Sequence, residues 1–107
     1  MATYTNVSYG VKNVSTGGST VTTVSSGTLA VASLVVSNTS TSPITCDVYI
    51  TRSAVNYYVV ETATVAVGGS LEVIQGNRII LQASDILVVV ASASSSADAW
   101  VSGLTVV

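Results

Sequence analysis

Apolar and polar residues alternate at period two along most of this chain, and no stretch repeats apolar residues at the three-and-four spacing of a helix. β-Branched residues fill the alternating stretches, as expected for pleated, half-buried strands. The pattern predicts an all-β protein. Tyr4 to Val11 reads as a first strand closed by Ser15-Thr16-Gly17-Gly18, and Thr20 to Ser25 as a second, ended at Ser26-Gly27. Leu29 to Asn38 carries Ala30, Ala32, Leu34 and Val36 on one face and Leu29, Val31, Ser33, Val35 and Ser37 on the other. Apolar residues on both faces predict a central strand covered twice. After the loop from Asn38 to Pro43, Ile44, Cys46, Val48 and Ile50 alternate with Thr45, Asp47, Tyr49 and Thr51. One face of that strand is predicted to be core, the other to meet water or a partner.

The second half reads as shorter pieces. Val55 to Thr62 and Ala63 to Val67 run to a hairpin turn at Gly68-Gly69, and Leu71 to Ile74 to a turn at Gln75-Gly76-Asn77. Arg78 to Leu81 then pairs across Gln82-Ala83-Ser84-Asp85 with Ile86 to Ser92, where Ile86 to Val90 reads as buried on both faces. Asp85 is expected to accept main-chain N–H bonds within its turn. Ala97 to Val107 closes the chain, with Trp100 alternating against Ala99 and Val101, and Gly103 marking a bulge.

Eight to nine short strands in 107 residues predict a single domain, residues 1–107, folded as an antiparallel two-sheet β-sandwich. Jelly-roll topology is favoured over an immunoglobulin-like sandwich, whose buried tryptophan would lie mid-chain rather than in the last strand. Residues 1–18 read either as an N-terminal arm or as an edge strand.

Charge narrows the function. Three cationic and five anionic residues give a net charge of −2, with no histidine, while serine and threonine make up nearly a third of the chain. Lys12, Arg52 and Arg78 form no basic patch able to neutralise several phosphates, so direct nucleic-acid binding is not expected. The longest apolar run, Ile86 to Ala91, falls far short of the roughly 18 to 20 residues that span a bilayer, so no membrane helix is expected. Met1 to Gly10 lacks a charged segment followed by an apolar one, and the expectation is synthesis in a cytosol without an export signal. So neutral a surface favours self-association over a solitary molecule.

Candidate chemistry is thin. Cys46 is the only cysteine and reads as a small core residue. Zinc lacks ligands, and Asp47 and Asp85 lie too far apart in sequence to build an oxygen-rich calcium loop. Glu61 and Glu72 flank the predicted Gly68-Gly69 hairpin and could face one another as a glycosidase pair, although both sit at exposed alternation positions. No cofactor and no enzyme activity is expected. Tyr57-Tyr58 puts one ring on each face of its strand, so one is predicted to enter the core and the other to project outward. The outer ring is an interface anchor, a sugar platform or a ring packed on a neighbour. Trp100 is read as a core or interface filler, or a sugar platform.

Ala32 to Thr39, Ile44 to Ile50, Val67-Gly68-Gly69-Ser70-Leu71, Ile80 to Ser92 and Val101-Ser102-Gly103-Leu104 together form a recognisable succession. It resembles small β-sandwich virion proteins of tailed bacteriophages, over about three-quarters of the chain from Leu29 onward. In that family a glycine often precedes the hairpin aspartate, where this chain has Ser84. The resemblance implies structural work as a capsid decoration or cement protein on the phage head, made in the bacterial cytoplasm and bound to the major capsid protein or another virion protein. A neck or tail-fibre component is the alternative it leaves open, and a carbohydrate-binding module a further one. A homotrimer is the expected assembly, with Leu29, Val31 and Val35, together with Tyr57, Tyr58 and Trp100, as candidate interface residues.

Overall fold

The computed structural model describes residues 3–107, apart from the side chains of residues 75–77. Eight strands follow one another: β1 (Tyr4–Val11), β2 (Ser19–Thr23), β3 (Thr28–Asn38), β4 (Ile44–Arg52), β5 (Val55–Val65), β6 (Ser70–Gln82), β7 (Ile86–Ala91) and β8 (Ala97–Val106). They form two four-stranded sheets, ordered β1-β8-β3-β6 and β2-β7-β4-β5, and all the pairs are antiparallel. The pairings β1 with β8, β3 with β6, β2 with β7 and β4 with β5 wind the chain as a jelly roll. Residues 4–11 are an edge strand of the first sheet rather than an arm.

Between the sheets lies one core of aliphatic side chains. Leu34, Leu81, Leu87, Val31, Val36, Val48, Val89 and Val101 are among its fully buried members. β4 behaves as its alternation predicts, with Ile44, Cys46 and Val48 buried and Thr45, Asp47 and Tyr49 half-exposed. β7 is buried on both faces over Leu87, Val88 and Val89.

β3 departs from its expected reading. Opposite β8, Val31 pairs with Gly103 and Ser33 with Ser102, so Ala32 is an extra residue on β3. This bulge shifts the phase of the pleat. Before it, Leu29 and Val31 point inward; after it, Leu34, Val36 and Asn38 do. The apolar residues on the two apparent faces of this strand therefore belong to one face read in two phases. Gly103, expected to mark a bulge, lies directly across from it, where an added Cβ would run into the Ala30 carbonyl.

The predicted breaks in β5 and β6 are also not chain reversals. β5 is continuous through Thr62, which adopts a φ of 53° and donates its N–H to Asp47 Oδ1 at 2.6 Å. β6 runs as one strand through Gly76, absorbing the predicted Gln75-Gly76-Asn77 turn as a register shift against β3 between Val31 and Ser33. Gly68-Gly69 is a corner that carries the chain from one sheet to the other, closed by the Gly69 N–H bonding to the Ala66 carbonyl at 3.0 Å.

Candidate functional site

The outer face of the first sheet carries three of the exposed large apolar side chains, Tyr4, Ile80 and Trp100, while Tyr57 and Tyr58 stand on β5 of the second sheet. Trp100 lies between Gly10 of β1 and Val35 of β3, and the unbroken β1–β8 register puts Tyr4 on the same face. Ile80 reaches it through its pairing with Ala30, which in turn faces Leu104. Tyr4, Trp100 and Ile80 are 66%, 57% and 54% exposed, values that mark an uncovered surface. Ala99 and Val101, on either side of Trp100, are buried, as the alternation predicts.

Gly10 gives the indole its place. An added Cβ would sit 2.5 and 2.6 Å from Cε3 and Cζ3 of Trp100, so the six-membered ring rests where another residue's side chain would be. A groove of about 410 Å³ beside the ring is lined by Gly10, Val11, Lys12, Ser37, Asp98, Ala99 and Trp100. Within it Lys12 Nζ donates to Asp98 Oδ2 at 3.0 Å and the Asn13 N–H to Asp98 Oδ1 at 2.9 Å. The Asn13 N–H first, and Lys12 second, hold the Asp98 carboxyl below the usual carboxylate range. Lys12 and Asp98 are 86 residues apart, and only the β1–β8 pairing joins them.

The aspartates share a task. Asp47 accepts the Thr62 N–H, Asp98 the Asn13 N–H, and Asp85 the Gln82 N–H at 2.7 Å. Each carboxylate fixes a place where the main chain leaves regular pairing. Asp85 also receives both Nε and Nη2 of Arg52, and this pairing, ahead of the Gln82 N–H, keeps its carboxyl below the ordinary range against the opposing effect of burial. The expected local role of Asp85 is present, with a long-range ion pair that the sequence did not reveal.

Glu61 and Glu72 lie on β5 and β6, in different sheets, so they are not the facing pair their spacing allowed; Glu72 instead lies near Val35 in the β3–β6 register. Among the described residues no group of His, Cys, Asp and Glu gathers to hold a metal ion. Burial pushes the Cys46 thiol up, with the nearby Asp47 charge adding to the effect.

Of the candidate interface residues, Leu29 and Val31 are 2% and 0% exposed and belong to the core, because the Ala32 bulge turns them inward. Only Val35 of that trio reaches the outer face, half-buried beside Trp100. Tyr57 and Tyr58 are both exposed, so neither ring enters the core. Tyr58 packs on Tyr49 of β4, ring centroids 5.2 Å apart at 49°. Tyr57 lines a recess with Ile50, Arg52, Ile80 and Leu81 beside the edge strands β5 and β6.

The fold is a β-sandwich of jelly-roll topology with Tyr4, Trp100 and Ile80 exposed on the outer face of its first sheet. No family model matches the sequence, and no curated protein matches it. Among solved structures the chain is similar to a protein of the Bacillus endospore appendages, a family of disulfide-linked pili. The TM-score is 0.54 at 15% identity, over 97% of this chain and 87% of the other. At that identity the likeness is one of fold.

Proposed function

We propose that this chain is a non-catalytic structural subunit of a tailed-phage virion, used in many copies as a decoration or cement protein on the outside of the head. The observation that carries the reading is the outer face of the first sheet, where Tyr4, Trp100 and Ile80 stand exposed. Exposed apolar patches rimmed by polar residues are contact surfaces. The carboxylates fit a structural role as well, since Asp47, Asp85 and Asp98 are each engaged in holding the main chain. Many weak contacts repeated over a lattice add up through multivalency, which suits a small sandwich used in many copies.

Association through a face carrying Leu29 and Val31, the basis of the expected trimer, is not part of this proposal, because those side chains fill the core. A second reading, a subunit of a surface filament, is favoured by the pilus neighbour. Electron microscopy of native particles with a gold-labelled antibody against the chain separates the readings. Label spread over the head supports the decoration role; label on one vertex or on the tail moves the chain to the neck or tail fibre. Label along free filaments supports the second reading.

A further inference from the structure

The four sheet edges are not equally protected. β2 is five residues long and its register against β7 shifts between Thr20 and Thr22. β5 carries Glu61 and two register shifts, and β6 carries Glu72, Arg78 and two more. Short length, charge and bulges are the devices by which edges are kept from pairing. β1 has none of them: its eight residues contain no charge and no proline, and its register with β8 is unbroken from Tyr4 to Val11.

The hydrogen bonding fixes what this edge offers. Thr3 and Val107 exchange both main-chain bonds, N to O at 2.7 and 3.0 Å, so Thr3 is a hydrogen-bonded residue of the β1–β8 ladder. Antiparallel ladders alternate. Thr5, Val7, Tyr9 and Val11 therefore turn their main-chain groups toward β8, in keeping with the Thr5 carbonyl accepting the Thr105 hydroxyl at 3.2 Å. Tyr4, Asn6, Ser8 and Gly10 turn theirs toward the outer edge, where no described strand pairs with them.

We propose that two copies of this chain pair through β1, antiparallel about a two-fold axis at Val7, joining their first sheets into one continuous sheet. The pairing is independent of which particle the chain belongs to. The register follows from the ladder: outward-directed residues must lie opposite outward-directed residues, which rules out any register that sets Tyr4, Asn6, Ser8 or Gly10 against an odd-numbered position. Of the registers left, the one centred on Val7 uses all four edge residues of both strands, Tyr4 opposite the partner's Gly10 and Asn6 opposite the partner's Ser8. It also keeps the outer faces of both sheets on one side. The Trp100 ring already fills the space above Gly10, so the partner's Tyr4 packs against that ring and the two most exposed aromatic side chains of this face meet. An interface of this kind is isologous and closes as a dimer.

Sedimentation equilibrium tests it, with a species of twice the 10.8 kDa chain mass expected and a single 10.8 kDa species at every concentration overturning it. Asn6→Pro removes an N–H that points to the outer edge and leaves the bonds to β8 intact, so it is expected to give a folded monomer. A folded dimer in that variant would overturn the pairing. Two charge variants guard against misfolding: Asn6→Lys with Ser8→Lys sets like charges opposite one another and abolishes the dimer, whereas Asn6→Lys with Ser8→Glu keeps it. Equal behaviour of the two would overturn the register. Under oxidation Val7→Cys crosslinks to itself, since facing non-hydrogen-bonded residues have Cα atoms about 4.5 Å apart, within disulfide reach. Crosslinking of Asn6→Cys or Ser8→Cys in its place would overturn the axis. Trp100 is the only tryptophan, and its emission is expected to shift to shorter wavelength as the dimer forms, with Tyr4→Ala weakening association about tenfold or more.

Discussion

Asp85 holds Arg52 by two nitrogens at once, Oδ1 taking Nε at 2.8 Å and Oδ2 taking Nη2 at 2.5 Å, from a position only 1% exposed. The pair ties the end of β4 to the corner between β6 and β7. The end of β2 is fastened to the same corner, where the Val24 N–H bonds to the Asp85 carbonyl at 3.0 Å and the Ser84 N–H to the Val24 carbonyl at 2.7 Å. Elements of both sheets thus converge on one buried carboxylate.

Asp85→Asn keeps the shape and loses the charge, and is expected to lower stability by about 2 kcal/mol, the scale of hydrogen bonds to ionised groups. Arg52→Met strands the buried carboxylate and is expected to cost more than Asp85→Asn. Urea denaturation of the three proteins checks the order.

Acid should weaken the fold through the same residues. Asp85 and Asp98 both titrate below their unfolded value of about 3.9, so the folded chain binds fewer protons than the unfolded one. Their contribution is fully present above that value and is lost as pH falls through the lowered folded-state values. Thermal melts at falling pH are expected to show a decline below about pH 4 that is shallower in Asp85→Asn.

The layers and most strand positions were legible because alternation, proline and glycine report directly on pleat and turn. Tyr4 to Val11 and Ile44 to Ile50 needed nothing more. The misreadings fall where the pleat loses or gains a step. A period-two reading counts every residue as one reversal of face, so the extra residue at Ala32 made a single core face look like two and cast Leu29 and Val31 as surface. At Gly76 and Gly68-Gly69 the glycines read as turns, but a strand that bends and a corner between sheets carry the same residues as a hairpin. The Trp100 groove depended on the β1–β8 pairing, which no local pattern announces.

Two glycines should respond differently to alanine. At Gly103 the new methyl meets the Ala30 carbonyl of the adjacent strand, which cannot move without disturbing the bulge, and a loss of about 1–3 kcal/mol is expected. At Gly10 it meets only the Trp100 ring on the exposed face, so Gly10→Ala is expected to leave stability nearly unchanged while altering Trp100 fluorescence. Comparing unfolding midpoints with emission spectra separates the two effects.

Cys46 is 1% exposed and its thiol is pushed up by burial. A thiol-reactive dye is expected to leave the native protein unlabelled and to react stoichiometrically in denaturant. Rapid labelling of the native chain would contradict the packing. Because the neutral thiol is the form the fold favours, its contribution holds below its ordinary titration range and fades as pH rises through the raised value.

The hydrogen-bonded meeting of Thr3 with Val107 makes the backbone nearly a closed ring. Any polypeptide joined to one end departs from the same corner as one joined to the other. The sandwich can accordingly be spliced into a loop of a host protein as a self-contained knob, and reopening the ring at the Ser92–Ser96 loop while bridging the old ends with a few glycines should preserve its architecture.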